Sequence, residues 1–306
     1  MPSPTPAAVP PVAFHRVALI GRHGSPGMAE PLSALAAFLT SSGREVVLCA
    51  ETAKYLPVNG YPKVALAALG TRVDVAIVIG GDGTMLSVAR ELARFDVPLI
   101  GINQGRLGFL TDVPLTRTEE ALAAIFAGHN VEERRTMLEA RVDHADGRCN
   151  ATLALNDVVV SRGTLGGMVD IAVEIDGSFV YAMRADGLIV ATPTGSTAYA
   201  LSAQGPIMHP QVPALVLVPV APHALSNRPI AVSDSVTITV TLLKGKDAVV
   251  HCDGQNNFPL GERDRITIRR AAYSVRLLHP ADHDHFAMLR QKLHWGETPE
   301  RLGPTG

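Results

Sequence analysis

Asp74-Val75-Ala76-Ile77-Val78-Ile79-Gly80-Gly81-Asp82-Gly83-Thr84 runs an almost unbroken apolar segment into a glycine loop that carries one carboxylate. A strand this apolar is covered on both faces, as in a parallel sheet, instead of alternating toward water on one side. Beyond the loop, Met85, Val88, Ala89 and Leu92 recur at the spacing of one helix face, so the loop joins a buried strand to a helix. Open α/β sheets bind ligands at such places, outside the carboxyl ends of their strands. Glycine lets the backbone come close to a polyphosphate, and the free amides of the following helix start attract anions. A carboxylate in that loop would repel phosphate. Asp82 therefore makes chemical sense as a proton acceptor or on Mg²⁺, and the alternative is an ordinary Asp-Gly turn.

Working outward, His15 to Ile20 reads as a strand, and Leu32, Leu35, Ala36 and Leu39 mark the face of a helix. Glu45 to Cys49 is a second strand, Pro98 to Ile102 follows the helix of Met85, and Thr118 to Phe126 is a further helix. This alternation predicts an open, mostly parallel α/β sheet. After about Met137 the period changes to that of strands: Val169, Ile171, Val173 and Ile175 alternate with polar residues, Asp176-Gly177 predicts a hairpin turn, and Val236 to Leu242 alternates again. The expected organisation is a disordered leader at 1–13, an α/β domain at 14–136, and a β-rich domain at 137–280. A C-terminal segment at 281–306, with a helix marked by Phe286, Leu289 and Leu293, returns to the first domain.

A net charge of −2 argues against a nucleic-acid or membrane-surface binder, which would carry a basic excess. An anionic ligand would have to be held locally, by a few basic groups, backbone amides or a metal. Cys49, Cys149 and Cys252 are far apart and odd in number, which indicates neither a disulfide framework nor a zinc knot. The Pro- and Ala-rich start lacks the build of a signal peptide, and the apolar stretch Ala214 to Ala221 is too short to span a bilayer. The expectation is a cytoplasmic protein with no membrane partner.

Three further stretches carry chemistry. Asn103 to Asp112 follows the next strand at the same sheet edge as Asp82; Phe109 there either stacks on a base or fills the core. Asp186 to Ser202 runs from a strand into a dense group of hydroxyls, more than one helix cap requires, which favours a ligand. Asn156-Asp157 is either a turn or a grip for a ribose diol. The stretch His279-Pro280-Ala281-Asp282-His283-Asp284-His285 reads as a solvated lead-in to the last helix, because a metal needs three or four convergent ligands.

At these residues the chain resembles the NAD kinase family. Gly80 to Thr84 is similar to that family's GGDGT loop, Asn103 to Asp112 to its LGFLTD segment, Leu155-Asn156-Asp157 to its Asn-acidic motif, and Asp186 to Ser202 to its long TPTGSTAY segment. His279-Pro280 with Leu293-His294-Trp295-Gly296 resembles its C-terminal segment. The resemblance implies a Rossmann-like parallel-sheet domain followed by a β-sandwich-like domain, self-associating as a homodimer or homotetramer. It implies Mg²⁺-dependent transfer of the ATP γ-phosphoryl group to the 2′-hydroxyl of the adenosine ribose of NAD. Asp82 would be the catalytic base beside Gly83, and Phe109 would lie against the nucleotide. Asn156 and Asp157 would hold the ribose of the nicotinamide half. Asp186, Thr197, Ala198, Tyr199 and Ser202 would line the NAD site, with Gln255 a further contact. Arg184 would bear on the choice of phosphoryl donor, and Mg²⁺ would be held mainly by the nucleotide. The chain departs from the family at Gln204, where glycine is usual, and at Gly166-Gly167, where some members carry a ligand-contacting histidine. The glycine loop alone would equally suit a diacylglycerol-type or 6-phosphofructokinase-like enzyme, and a non-catalytic NAD(P) sensor could keep the fold.

Overall fold

The computed structural model describes residues 14–22, 27–54, 60–105, 108–164, 167–224 and 226–294. The leader at 1–13, together with Arg106, Leu107, Gly166, Trp295 and Gly296, lies outside them. The chain divides into two compact units: Met1–Met85, Val97–Glu133 and Leu277–Gly306 in the first, and Leu86–Asp96 and Arg134–Arg276 in the second.

In the first unit, β1 (Arg16–Gly21), β2 (Glu45–Cys49), β3 (Lys63–Val64), β4 (Val75–Gly80), β5 (Leu99–Asn103) and β6 (Val113–Pro114) are joined by α1 (Ala29–Ser41), α2 (Ala50–Ala53), α3 (Leu66–Leu69), the start of α4 (Asp82–Leu92) and α5 (Thr118–Phe126). The strand order β5-β4-β1-β2-β3 is parallel throughout, with Leu19 facing Leu48 on one side and Ile77 on the other. The chain thus winds outward from β1 in one direction and then, with β4 and β5, in the other. The reversal falls between β1 and β4, the position where a parallel sheet opens a crevice for ligands. β4 is buried along its whole length, as its apolar run requires. The stripe Leu32, Leu35, Ala36 and Leu39 supplies the buried face of α1, and Met85, Val88, Ala89 and Leu92 are buried on α4.

The second unit is antiparallel. It contains most of β7 (Asn130–Asp143), then β8 (Cys149–Ala154), β9 (Asp157–Ser161), β10 (Val169–Ile175), β11 (Ser178–Ala185), β12 (Gly187–Ala191), α6 (Tyr199–Ser202), β13 (Ala214–Val220), β14 (Ile230–Ser233), β15 (Thr237–Lys244), β16 (Ala248–Cys252), β17 (Asn256–Leu260) and most of β18 (Arg265–Pro280). One layer is the six-stranded sheet β14-β13-β12-β9-β16-β17, and the other includes β11-β10-β15-β18. Alternation builds the core between them: Val158, Val160, Leu188, Val190, Leu215 and Leu217 from the first layer meet Ile171, Val173, Ile238, Val240, Ile266 and Ile268 from the second. The intervening residues Val159, Ile189, Val216 and Val218 pack on the other side against Ala200 and Met208. This is why β9, β12 and β13 read as continuous apolar runs although they are antiparallel. The hairpin β10–β11 closes on Asp176-Gly177, both at positive φ (49° and 77°), the geometry an Asp-Gly two-residue turn supplies. Gln204 follows α6 at φ 66°. Its N–H donates to the Leu201 carbonyl and that of Gly205 to Ala200. The backbone there takes the left-handed path that glycine would take.

The last helix, α7 (His285–Leu293), belongs to the first unit, with Met288 and Leu289 buried. Among the described residues no helix is long and apolar enough to cross a membrane, and the three cysteines are unpaired.

Packing within the first unit is close enough to demand glycine at one strand position. A Cβ on Gly101 of β5 would stand 2.2 Å from the Leu110 carbonyl oxygen and 2.8 Å from Thr111 Cα, whereas one on Gly105 would meet nothing within 4 Å. Gly101→Ala is expected to lower stability by about 1–3 kcal/mol and Gly105→Ala to change it by less than about 0.5 kcal/mol. Urea denaturation of the two variants side by side checks this.

Candidate active site

Asp82 opens α4 directly beyond the carboxyl end of β4. Its carboxylate is clamped by the loop after β5: Phe109 N–H donates to Oδ2 at 2.9 Å, Leu110 N–H to Oδ1 at 3.0 Å, and the Thr111 hydroxyl lies 3.4 Å from Oδ1. Buried Asn103 supports that hydroxyl with an amide donation at 3.2 Å. Gly108 is required beside them, because a Cβ there would stand 2.1 Å from Asp82 Oδ1. The carboxylate is half-buried, its neighbour Gly83 is exposed, and Phe109 is half-buried with the Lys292 ammonium 5.6 Å over its ring. The two loops that the sequence singles out at this sheet edge therefore meet through Asp82, with the backbone of Phe109 as the direct link.

In the second unit, the Asn156-Asp157 corner is organised by a residue that sequence reasoning passed over. Asp253 accepts from Leu155 N–H at 3.0 Å, Asn156 N–H at 2.7 Å and Asp157 N–H at 3.3 Å, and pairs with Arg90 at 3.0 Å. Its side chain is fully buried, and that of Arg90 is 10% exposed. Asp253 and Gly254 both have positive φ between β16 and β17, so the Asp-Gly pair was the one available signal. Asn156, Asp157, Ala198, Tyr199, His251 and Asp253 line a cavity of about 430 Å³. A neighbouring cavity of about 460 Å³ shares Ser161, Tyr199 and His251 and adds Arg162 and Asp186, which form an ion pair at 2.8 Å. His251, held by Asn257 at 2.7 Å, was not anticipated.

The remaining candidates are placed differently. Gln255 turns its amide oxygen to Ser87, at 2.7 Å, and to Arg90. Arg184 is exposed on β11, 3.7 Å from Asp170. Thr197 is half-buried and donates to the Thr194 carbonyl, and Ser202 is exposed; none of these three lines either cavity. The density of hydroxyls in this segment has an internal explanation. Thr192, Thr194 and Ser196 are buried; Thr192 donates to the Leu155 carbonyl at 2.6 Å, and Ser196 donates to Pro193 and accepts from Met208 N–H. A Cβ on Gly195 would stand 2.0 Å from the Asn156 carbonyl oxygen. These hydroxyls and this glycine seat the turn against the Asn156-Asp157 corner.

The expectation of a solvated histidine stretch is overturned. His279 is 1% exposed, and His279 and His283 each place Nδ1 within 2.8 Å of Asp112 Oδ2. The partners come from a loop far back in the chain, which a local reading of alternating histidines could not include.

A glycine loop with a clamped carboxylate at the switch point of a parallel sheet, in a chain with a second, acidic cavity on an antiparallel sandwich, is the arrangement of a phosphoryl-transfer enzyme acting on nucleotides. The ATP-NAD kinase N-terminal domain matches residues 28–130 and the ATP-NAD kinase C-terminal domain residues 155–280. An NAD kinase from Burkholderia thailandensis is 51% identical, over 94% of this chain and 96% of that protein. An NAD kinase from Archaeoglobus fulgidus, solved in complex with ATP, superposes with a TM-score of 0.73 at 29% identity, covering 91% of this chain and 98% of that one. Yeast NADH kinase complexed with NADH shares the fold, with a TM-score of 0.87 at 23% identity over 95% of this chain and 91% of that one. The chain belongs to the NAD kinase family.

Asp157 gives a stability test of the second-unit cavity. Burial, and then the neighbouring Asp253 carboxylate, push its pKa up from 3.8 to about 7. The folded chain therefore keeps a proton that the unfolded chain releases near pH 4, and stability present below pH 4 is lost as pH rises through about 7. Asp157→Asn removes that loss. Relative to wild type, the variant is expected to gain stability between pH 5 and pH 8, by about 1.4 kcal/mol for each of the roughly two pH units between pH 5 and the folded-state value of about 7, read from urea denaturation at the two pH values.

Proposed function

We propose that this chain transfers the γ-phosphoryl group of ATP to the 2′-hydroxyl of the adenosine ribose of NAD, giving NADP and ADP, with Asp82 accepting the hydroxyl proton. Family membership supports the reaction, and the clamp on Asp82 is the single observation that carries its role. A free aspartate, with a pKa of about 3.9, cannot deprotonate a ribose hydroxyl in the ground state. It can take the proton as the O–P bond forms, provided the carboxylate is fixed within hydrogen-bond reach. Phe109 and Leu110 fix it with backbone donors and the Thr111 hydroxyl adds a longer contact, leaving the half-exposed carboxylate able to accept a further hydrogen bond.

Asn156 and Asp157 hold the ribose of the nicotinamide half, and Asp186, Ala198 and Tyr199, on the two adjoining cavities, contact the dinucleotide. Thr197 and Ser202, outside the two cavities but on the same segment as Ala198 and Tyr199, are further proposed contacts. Gln255, fixed by Ser87 and Arg90, acts from the turn next to Asp253. Arg184 leans the donor choice toward a nucleoside triphosphate over polyphosphate. Phosphoryl transfer needs Mg²⁺ to offset the triphosphate charge. The nucleotide's phosphates would hold Mg²⁺ in the main, and exposed Gly83 beside Asp82 suits the approach of such a complex. The enzyme works in the cytoplasm as a homodimer or homotetramer.

The test is a coupled assay with NAD or NADH as acceptor and ATP or polyphosphate as donor, with and without Mg²⁺. NADP formation from ATP that stops when Mg²⁺ is withdrawn is expected. Asp82→Asn keeps the fold and lowers kcat by at least about 100-fold; near-normal turnover would remove Asp82 from the base role. Gly108→Ala leaves the carboxylate chemistry in place but displaces it, and is expected to lower kcat by at least about 10-fold. Circular dichroism should show both variants folded.

A further inference from the structure

The buried histidine pair is built as a ligand set. Asp112 Oδ2 stands 2.8 Å from His279 Nδ1 and 2.7 Å from His283 Nδ1. An ionised carboxylate only accepts, so both rings carry hydrogen on Nδ1, and each neutral ring presents its Nε2 lone pair on the opposite side. The rings stack with centroids 4.0 Å apart and planes 21° from parallel, so both Nε2 atoms point the same way. They point at Glu133: His279 Nε2 lies 3.6 Å from Oε2 and His283 Nε2 3.8 Å from Oε1. These separations exceed a hydrogen bond. They match the spacing of two ligand atoms that share one ion at about 2.0–2.2 Å each. Both Nε2 atoms are buried and lack a hydrogen-bond partner among the described residues.

We propose that His279 Nε2, His283 Nε2 and the Glu133 carboxylate bind one divalent first-row metal ion of the Zn²⁺ type, with Asp112 orienting both imidazoles. Asp112, His279 and His283 also bring one potential ligand atom each within 4.8 Å of one another. Two imidazoles and a carboxylate form a zinc donor set, and an outer carboxylate on the far ring nitrogen is the usual support of a metal-bound histidine. Mg²⁺ and Ca²⁺, which take oxygen ligands, fit this set poorly. Asp112 and His283 also line a cavity of about 410 Å³, which offers a route for the ion. Asp112 precedes β6, Glu133 lies on β7, His279 on β18 and His283 before α7. An ion here would tie together segments distant in sequence, and its binding energy would add to folding. The site is thus a structural clip, separate from the phosphoryl-transfer chemistry.

The rival outcome is a cluster satisfied by protons. Burial lowers the His279 pKa, but the hydrogen bond to Asp112 and the nearby Asp112 and Glu133 carboxylates outweigh it and raise the value overall. Untagged full-length protein, stripped with a chelator, is titrated with Zn²⁺ against a chromophoric competitor and checked by elemental analysis. It is also loaded with Co²⁺ for visible spectroscopy. The expected results are one Zn²⁺ per chain, a raised Tm, no competition from millimolar Mg²⁺, and Co²⁺ d–d bands of nitrogen and oxygen ligation. His283→Gln and Glu133→Gln should each weaken Zn²⁺ binding by at least about 100-fold. Absence of uptake, uptake that both variants retain, or thiolate charge-transfer bands overturns the proposal. If the variants do not fold, the Co²⁺ spectrum and stoichiometry of the wild-type protein decide it alone.

Discussion

The fully buried carboxylate of Asp253 is the constraint on which the second-unit site depends. Three consecutive backbone N–H groups, of Leu155, Asn156 and Asp157, converge on it, and the Arg90 guanidinium closes the remaining side. A buried ion pair of this kind contributes little net stability against an apolar substitute, but loss of one partner leaves an uncompensated charge. Its value here is positional. The three amides cannot all reach one carboxylate unless the chain turns sharply at Asn156, and that turn delivers Asp157 into the cavity shared with Tyr199 and His251. The same turn leaves the Asn156 carbonyl free to accept from Thr192 N–H, and that contact draws in the Thr192–Ser196 segment.

Asp82 and Asp157 show how environment separates two aspartates. Asp82 is half-exposed and receives two backbone donors, which aim its carboxyl group. Asp157 is 5% exposed and lies beside another carboxylate, so its proton is retained toward neutral pH. Loop residues that look alike in sequence thus meet different surroundings, because one sits half-exposed at a strand end and the other is buried beside a second carboxylate. An incoming ligand donor at Asp157 would find a group whose charge answers to binding, whereas Asp82 offers a fixed acceptor.

Much of the fold was legible because burial imposes a period. The α1 stripe from Leu32 to Leu39, the α4 stripe from Met85 to Leu92 and the run Val75–Gly80 each satisfy one neighbouring surface, and their periods name it. The Asp176-Gly177 turn was legible for a local reason, positive φ at both residues. The Asp253 clamp and the His279–His283 stack were not legible, because their partners lie on segments far away in sequence. The roles of the Thr192, Thr194 and Ser196 hydroxyls were not legible for the converse reason. Serine and threonine bind backbone and ligand with the same group, and composition cannot say which partner is nearer.

Glycine beside Asp82 and beside Asn156 works by excluded volume more than by conformational freedom. Gly195 does not have positive φ, so an L-residue's backbone could follow the chain there. What these glycines forbid is a Cβ: at Gly108 it would strike the Asp82 carboxylate, and at Gly195 the Asn156 carbonyl. Gln204 is the opposite case, a left-handed residue with a full side chain where the family usually shows glycine. Strain of about 1–2 kcal/mol can be absorbed there by the hydrogen bonds that end α6. A collision with the carboxylate that must receive the proton has no such remedy. The glycines that matter most are therefore those that hold open the volume beside Asp82 and Asn156.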